Sequence, residues 1–139
     1  MFHSVELRAY AHATEDEGRV ETALRTLCAD GDITLDKTEG HYGNPIVLMT
    51  SRLEKPPEIQ AFWRRLGEVG VLADILETID DRVDEDAVLH LRFDKQKAFA
   101  GTIELARHDD VVVCRAKVVA HPAKKSVATR VARDYLGRI

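Results

Sequence analysis

The chain has little of what staples, breaks or anchors a fold. Among its 139 residues are two cysteines, Cys28 and Cys114, far apart, without C-x-x-C spacing and set in apolar patterns. That excludes a disulfide scaffold and points to buried, reduced thiols in a reducing compartment. With 4 prolines and 8 glycines, the chain has too few of either to be fibrous or disordered. No segment approaches the roughly 18 uninterrupted apolar residues of a membrane span. The start, Met1-Phe2-His3-Ser4-Val5-Glu6, shows neither a cationic lead nor a long apolar run. A soluble, cytoplasmic chain with no membrane partner is therefore expected.

Catalytic and metal signatures are equally scarce. The 6 histidines, His3, His12, His41, His90, His108 and His121, include no H-x-x-x-H pair and have no cysteine pair near them. There is no Walker loop, no GxGxxG, no G-x-S-x-G and no assignable nucleophile with its base. We expect no metal, no cofactor and no enzymatic reaction. A basic excess is missing too, because the net charge is −4. That argues against a nucleic-acid binder only until the charge is placed along the chain. Residues 111–139 hold seven Lys/Arg against one acid, Asp134, whereas residues 1–110 hold thirteen against twenty-three. A basic third joined to an acidic body still attracts phosphate locally.

What is present is alternation, the mark of half-buried strands. Residues 3–13 turn Val5, Leu7, Ala9 and Ala11 inward and Glu6, Arg8, Tyr10 and His12 outward. Residues 33–39 and 46–53 read as a hairpin around Gly40-His41-Tyr42-Gly43-Asn44-Pro45, in which Gly43 permits a positive φ. His41, Tyr42 and Asn44 are then displayed for bases or sugars, or simply build a tight turn. Residues 87–93 and 111–119 complete the strands, with a further one expected at 102–107, closing a hairpin through His108-Asp109-Asp110. The last strand sets Val112, Cys114, Ala116 and Val118 on one face and Val113, Arg115, Lys117 and Val119 on the other.

Helical periods fill the gaps. Thr14-Glu15-Asp16-Glu17 has the form of a capping box for a helix over 15–29. Pro56-Pro57 opens another, with Ile59, Phe62, Trp63 and Leu66 inward and Trp63 as core anchor. A turn-rich helix is expected over 71–79, an acidic solvated linker over 80–86, a turn or short helix over 94–99 and a terminal helix over 123–136. In that last helix Lys124 and Lys125 occupy the first turn, where the dipole disfavours cations by about 0.3–1 kcal/mol each. A bound phosphate reverses that preference; the alternative is two solvated lysines.

One α+β domain over 1–139 follows, with an open, partly basic sheet face. Cations meet phosphates, and Tyr, His or guanidinium planes stack on unpaired bases, so the face suits single-stranded RNA. Val88, Val113 and Val119 on it equally suit a dimer interface.

His12-Ala13-Thr14-Glu15-Asp16-Glu17, Glu39-Gly40-His41-Tyr42-Gly43-Asn44-Pro45, Leu91-Arg92-Phe93-Asp94-Lys95-Gln96 and Ala120-His121-Pro122-Ala123 resemble, in this order, a family of small archaeal proteins described as RNA-binding proteins or exosome subunits. The resemblance implies a single mixed, mostly antiparallel sheet with helices on one face, similar to the ribosomal protein that holds 5S rRNA. It also implies RNA as partner, a link to RNA processing with exosome or ribosome-associated proteins, and a homodimer. It places emphasis on His12, His41, Tyr42, Gly43, Asn44, Arg92, Asp94, Lys95 and Gln96. The expected RNA contacts are Arg8, His12, His41, Tyr42, Asn44, Arg92, Lys95, Gln96, Lys97, Arg115, Lys117, Lys124 and Lys125. The rival reading is an adaptor acting through protein contacts; a third is an RNA-directed enzyme using His12 or His41 with Lys95.

Overall fold

The computed structural model describes residues 1–29, 31–40 and 43–139. The elements follow in the order β1 (Phe2–Ala11), α1 (Glu17–Leu27), β2 (Ile33–Glu39), β3 (Pro45–Leu53), α2 (Pro56–Glu68), α3 (Leu72–Glu77), α4 (Ile79–Arg82), β4 (Val88–Asp94), α5 (Lys95–Phe99), β5 (Val111–Val118) and α6 (Lys125–Leu136). The strands form one open five-stranded sheet in the order β2-β3-β1-β5-β4, so the fold is α+β, as expected. β2 and β3 are antiparallel, in register from Ile33 opposite Ser51 to Glu39 opposite Pro45.

Alternation becomes burial in the strands. Val5, Leu7, Ala9 and Ala11 of β1, and Val112, Cys114, Ala116 and Val118 of β5, are buried. Tyr10 and Arg115, on the opposite faces of those strands, are exposed. β2 has no buried residue, as suits an edge strand.

The chain divides into two compact units, each drawn from separated segments. The hairpin unit comprises Glu6–Arg52 and Arg92–Cys114; the terminal unit comprises Met1–Val5, Leu53–Leu91 and Arg115–Ile139.

In the hairpin unit α1 packs on α5. Val20, Ala23, Leu24 and Leu27 form the buried stripe of α1, and Ala98 lies buried in α5. The Thr26 hydroxyl ties the two helices by donating to the Ala98 carbonyl at 2.6 Å. Arg19 sits over the Phe99 ring, 4.2 Å from its centroid, a cation–π contact. Cys28 and Cys114 are both free and buried, as expected, with Cys28 Sγ 3.3 Å from Ser51 Oγ. Burial pushes the Cys114 thiol far up, and the neighbouring Cys28 and Glu6 add to it, so it stays protonated.

In the terminal unit Trp63 is the anchor, fully buried, with Phe2 at 4.7 Å and Phe62 at 4.9 Å between ring centroids. Its Nε1–H is buried without a partner among the described residues. Helix α6 presents Ala128, Ala132 and Leu136 inward, and α3 and α4 both touch it.

Three expectations are corrected. The cap of α1 is Asp16, whose Oδ1 accepts from the Gly18 N–H at 2.7 Å, rather than Thr14. Glu15, not Glu17, reaches back, its Oε1 accepting from the His12 N–H at 3.2 Å. The cap slid because this stretch offers several capping side chains in succession, and an aspartate is as good an N-cap as a threonine or better. Residues 102–107 form no strand: Leu105 makes one isolated bridge to Phe93, flanked by Asp94 N–H to Glu104 O and Ala106 N–H to Arg92 O. The ladder stops there because β4 ends at Asp94, whose carboxylate caps α5 by accepting from the Lys97 N–H. The acidic stretch 80–86 is partly ordered: Asp80, Asp81 and Arg82 belong to α4. Asp84 Oδ1 accepts from the N–H groups of Asp86 and Val88, and Oδ2 lies 2.7 Å from His90 Nε2.

Candidate nucleic-acid interface

In the hairpin unit Glu6, Arg8 and Tyr10 share the face of β1 opposite buried Leu7, Ala9 and Ala11. Tyr10, next to last in β1, is 47% exposed. Glu6 lies between two cations, 3.9 Å from Arg8 and 3.5 Å from Arg52. Arg52 was not among the expected contacts, although its place in β3, one step out of phase with buried Val47, Met49 and Ser51, marks it for this face.

Lys95 is the main departure from the sequence-based expectation. It begins α5 buried, its side chain 4% exposed. Its ammonium donates to Tyr10 O at 3.0 Å, to Glu15 Oε2 at 2.9 Å and to Asp110 Oδ1 at 2.8 Å. Those three partners use its three N–H bonds, so Lys95 is not placed to meet a phosphate. Burial pulls its pKa down, but the bonds to Asp110 and Glu15 outweigh that and raise it above the ordinary lysine value. An ammonium held protonated is also neither nucleophile nor base.

Asp110 is the hub of this cluster. It also accepts from Gln96 Nε2 at 3.0 Å. Burial pushes its carboxyl up, and the hydrogen bonds from Lys95 and Gln96 more than reverse this, leaving it below the usual aspartate range. Asp94 is held low chiefly by the Lys97 N–H it accepts, with His108 Nε2 at 3.0 Å adding to the effect against some burial.

The other expected contacts of this unit are exposed but paired. Arg92 meets Asp109 at 3.0 Å, and Lys97 meets Glu104 at 2.8 Å. Exposed pairs of this kind are worth at most about 1 kcal/mol and open readily to a stronger anion. The His12 side chain is exposed just beyond β1. Asn44 is exposed in the hairpin turn, its carbonyl accepting from the Gly40 N–H at 2.6 Å, and Gly43 adopts φ +76°, as expected. His41 and Tyr42 lie outside the described residues.

The terminal unit holds the remaining candidates. Arg115 is exposed on β5, and Lys117, two residues on and on the same face, donates to the Asp86 carbonyl. Lys124 is the N-cap of α6 and supplies no side-chain cap, while Lys125 opens the helix half-buried. The first turn of α6 contains no acid. Among the described residues no group of His, Cys, Asp and Glu is placed to hold a metal, and no helix is long and apolar enough to cross a membrane.

Against known proteins, a family model described as RNA binding matches residues 4–118. An RNA-binding protein of Pyrococcus abyssi is 33% identical over 96% of this chain and 93% of its own length. A crystal structure of a protein from Archaeglobus fulgidus superposes with a TM-score of 0.86 at 38% identity, over 96% of this chain and 99% of that one. The structure of a DUF54 protein from Methanothermobacter thermautotrophicus does so with a TM-score of 0.85 at 35% identity, over 98% of each chain. A model match across most of the sequence and a relative one-third identical along nearly its whole length agree: the chain belongs to this RNA-binding family.

Proposed function

We propose that the chain binds single-stranded RNA on the strand face opposite its buried residues, the face that carries Arg8 and Tyr10. The observation that carries this reading is Tyr10, an exposed ring near the end of β1, two residues from Arg8. A base stacked on such a ring gains about 1–3 kcal/mol without regard to sequence. Arg8 and Arg52 serve the backbone in the hairpin unit, and Arg115 and Lys117 do so in the terminal unit, with the first turn of α6 as a further phosphate contact. The family membership supports RNA as the ligand. We infer binding rather than turnover; in support of this, Lys95, the lysine of the enzymatic alternative, is tied to two carboxylates that favour its protonated form. We place the work within RNA processing, in association with an exosome-like assembly, as the resemblance of the His12-to-Glu17 and Leu91-to-Gln96 segments implies.

Replacing Arg115 and Lys117 together by alanine tests the backbone contacts. Single-stranded RNA releases about 0.7 counterions per phosphate contact, so the slope of log affinity against log salt should flatten by about 1.4. An unchanged slope would remove these two residues from the interface.

The adaptor reading has one observation in its favour. Arg8, Arg92 and Lys97 each lie within 4 Å of a carboxylate in a chain of net charge −4, a pattern that suits a charged protein partner. A complex that survives nuclease treatment, with no RNA bound by the pure protein, would favour it.

A further inference from the structure

The hairpin unit contains a cavity of about 300 Å³ set where the start of α1 meets α5. Thr14, Glu15, Asp16, Arg19, Gln96 and Phe99 line it together with buried Lys95. Its volume lies at the small end of ligand sites, enough for a single base or nucleotide and too small for a folded element.

The lining is neutral in sum, with two cations against two acids, so it is no phosphate trap. Its hydrogen-bonding capacity is nevertheless only partly spent. Asp16 uses Oδ1 for the cap and leaves Oδ2 without a partner among the described residues. Gln96 commits its Nε2 to Asp110, which leaves its carbonyl oxygen as an acceptor. Arg19 sits over the Phe99 ring and makes no ion pair among the described residues, so its N–H donors are available beside an aromatic surface. The ion pairs of Lys95 with Glu15 and Asp110 hold this wall in place, so the site exists before a ligand arrives.

We propose that this cavity takes one unpaired guanine from the bound RNA. Guanine combines two adjacent N–H donors on its Watson–Crick edge, suited to the carboxylate and amide oxygens, with the O6 and N7 acceptors that a guanidinium meets. Adenine and cytosine each bring a single exocyclic donor group, and uracil a single ring N–H. This proposal rests on the RNA-binding reading: the sheet face supplies affinity for any single strand, and the cavity supplies base preference.

The test compares binding of U8 RNA with that of the same octamer carrying one central guanosine, at fixed salt. The guanosine-containing strand should bind about tenfold more tightly, within the range of one well-paired base contact. Thr14→Trp, at an exposed lining position, should erase the difference while leaving U8 affinity within about twofold. Arg19→Met keeps a chain over the Phe99 ring but removes the donors, and it should erase the difference likewise. Salt-dependent binding of both strands with equal affinity, or a guanosine preference that survives both variants, would overturn the cavity proposal and leave the RNA-binding reading standing. Binding of neither strand, even at low salt, would overturn both.

Discussion

Lys95 shows how far one residue can stand from its sequence-based reading. A lysine beside glutamine and lysine, just after a strand, reads as a surface cation, because lysine is almost never fully buried unless paired. Its partners are Glu15, eighty residues earlier in the chain, and Asp110, fifteen later, and no local pattern announces either. Removing the ammonium leaves two carboxylates facing each other without their shared donor. Lys95→Met should therefore cost about 1–3 kcal/mol, less than a fully buried pair because Glu15 and Asp110 keep some contact with water. Denaturant unfolding measures this, and a loss under about 0.5 kcal/mol would deny the cluster a structural role.

The same residues set the pH limits of stability. Asp110, Asp94 and Asp84 have folded pKa values below the unfolded 3.8, so the stability they confer is complete above that pH and is lost as pH falls through the lower, folded values. For Asp84 burial opposes the shift, and His90 with two backbone N–H groups overcomes it. Lys95 titrates in the opposite sense: its contribution is complete below the unfolded 10.5 and is lost as pH rises through the raised folded value. Asp110→Asn should flatten the acid limb below pH 3.8, and Lys95→Met should flatten the alkaline limb above pH 10.5. Unfolding free energies across both limbs read the two effects separately.

Elements were largely legible because their signals are local. The period of two placed Val5, Leu7, Ala9 and Ala11, and likewise Val112 through Val118, on the buried faces where they stand. The helical spacing of Ile59, Phe62, Trp63 and Leu66 marked the buried side of α2. What escaped was competitive or long-range. The α1 cap fell among four polar residues, and the structure chose Asp16. Residues 102–107 had strand composition but found a partner only at Phe93. Asp16→Ala removes the cap acceptor of α1 and should cost about 1 kcal/mol, seen as a lowered thermal midpoint; an unchanged midpoint would return the cap to another residue. The cavity proposed for guanine was illegible for the same reason, since Arg19 and Phe99 meet only when α1 packs on α5.

At the scale of the whole molecule, a chain of net charge −4 belongs to an RNA-binding family. Its cations are placed rather than abundant. In the hairpin unit many are tied to carboxylates; in the terminal unit Arg115 and the start of α6 face solvent without an acid in that first turn. Such a surface should give modest affinity that depends steeply on salt, with aromatic stacking supplying the part that salt does not screen. Tyr10→Ala should therefore lower RNA affinity by about five- to a hundredfold while leaving the salt slope unchanged, a split that separates stacking from phosphate contact.

The central claim, direct binding of single-stranded RNA on the strand face that carries Arg8 and Tyr10, is tested most directly by titrating the pure protein with a labelled octamer of uridine across a salt series. The account predicts binding at low salt that weakens linearly on logarithmic axes, with Tyr10→Ala weaker at every salt concentration and parallel to the unchanged protein. No binding at any salt, or a Tyr10→Ala line that coincides with that of the unchanged protein, would contradict it.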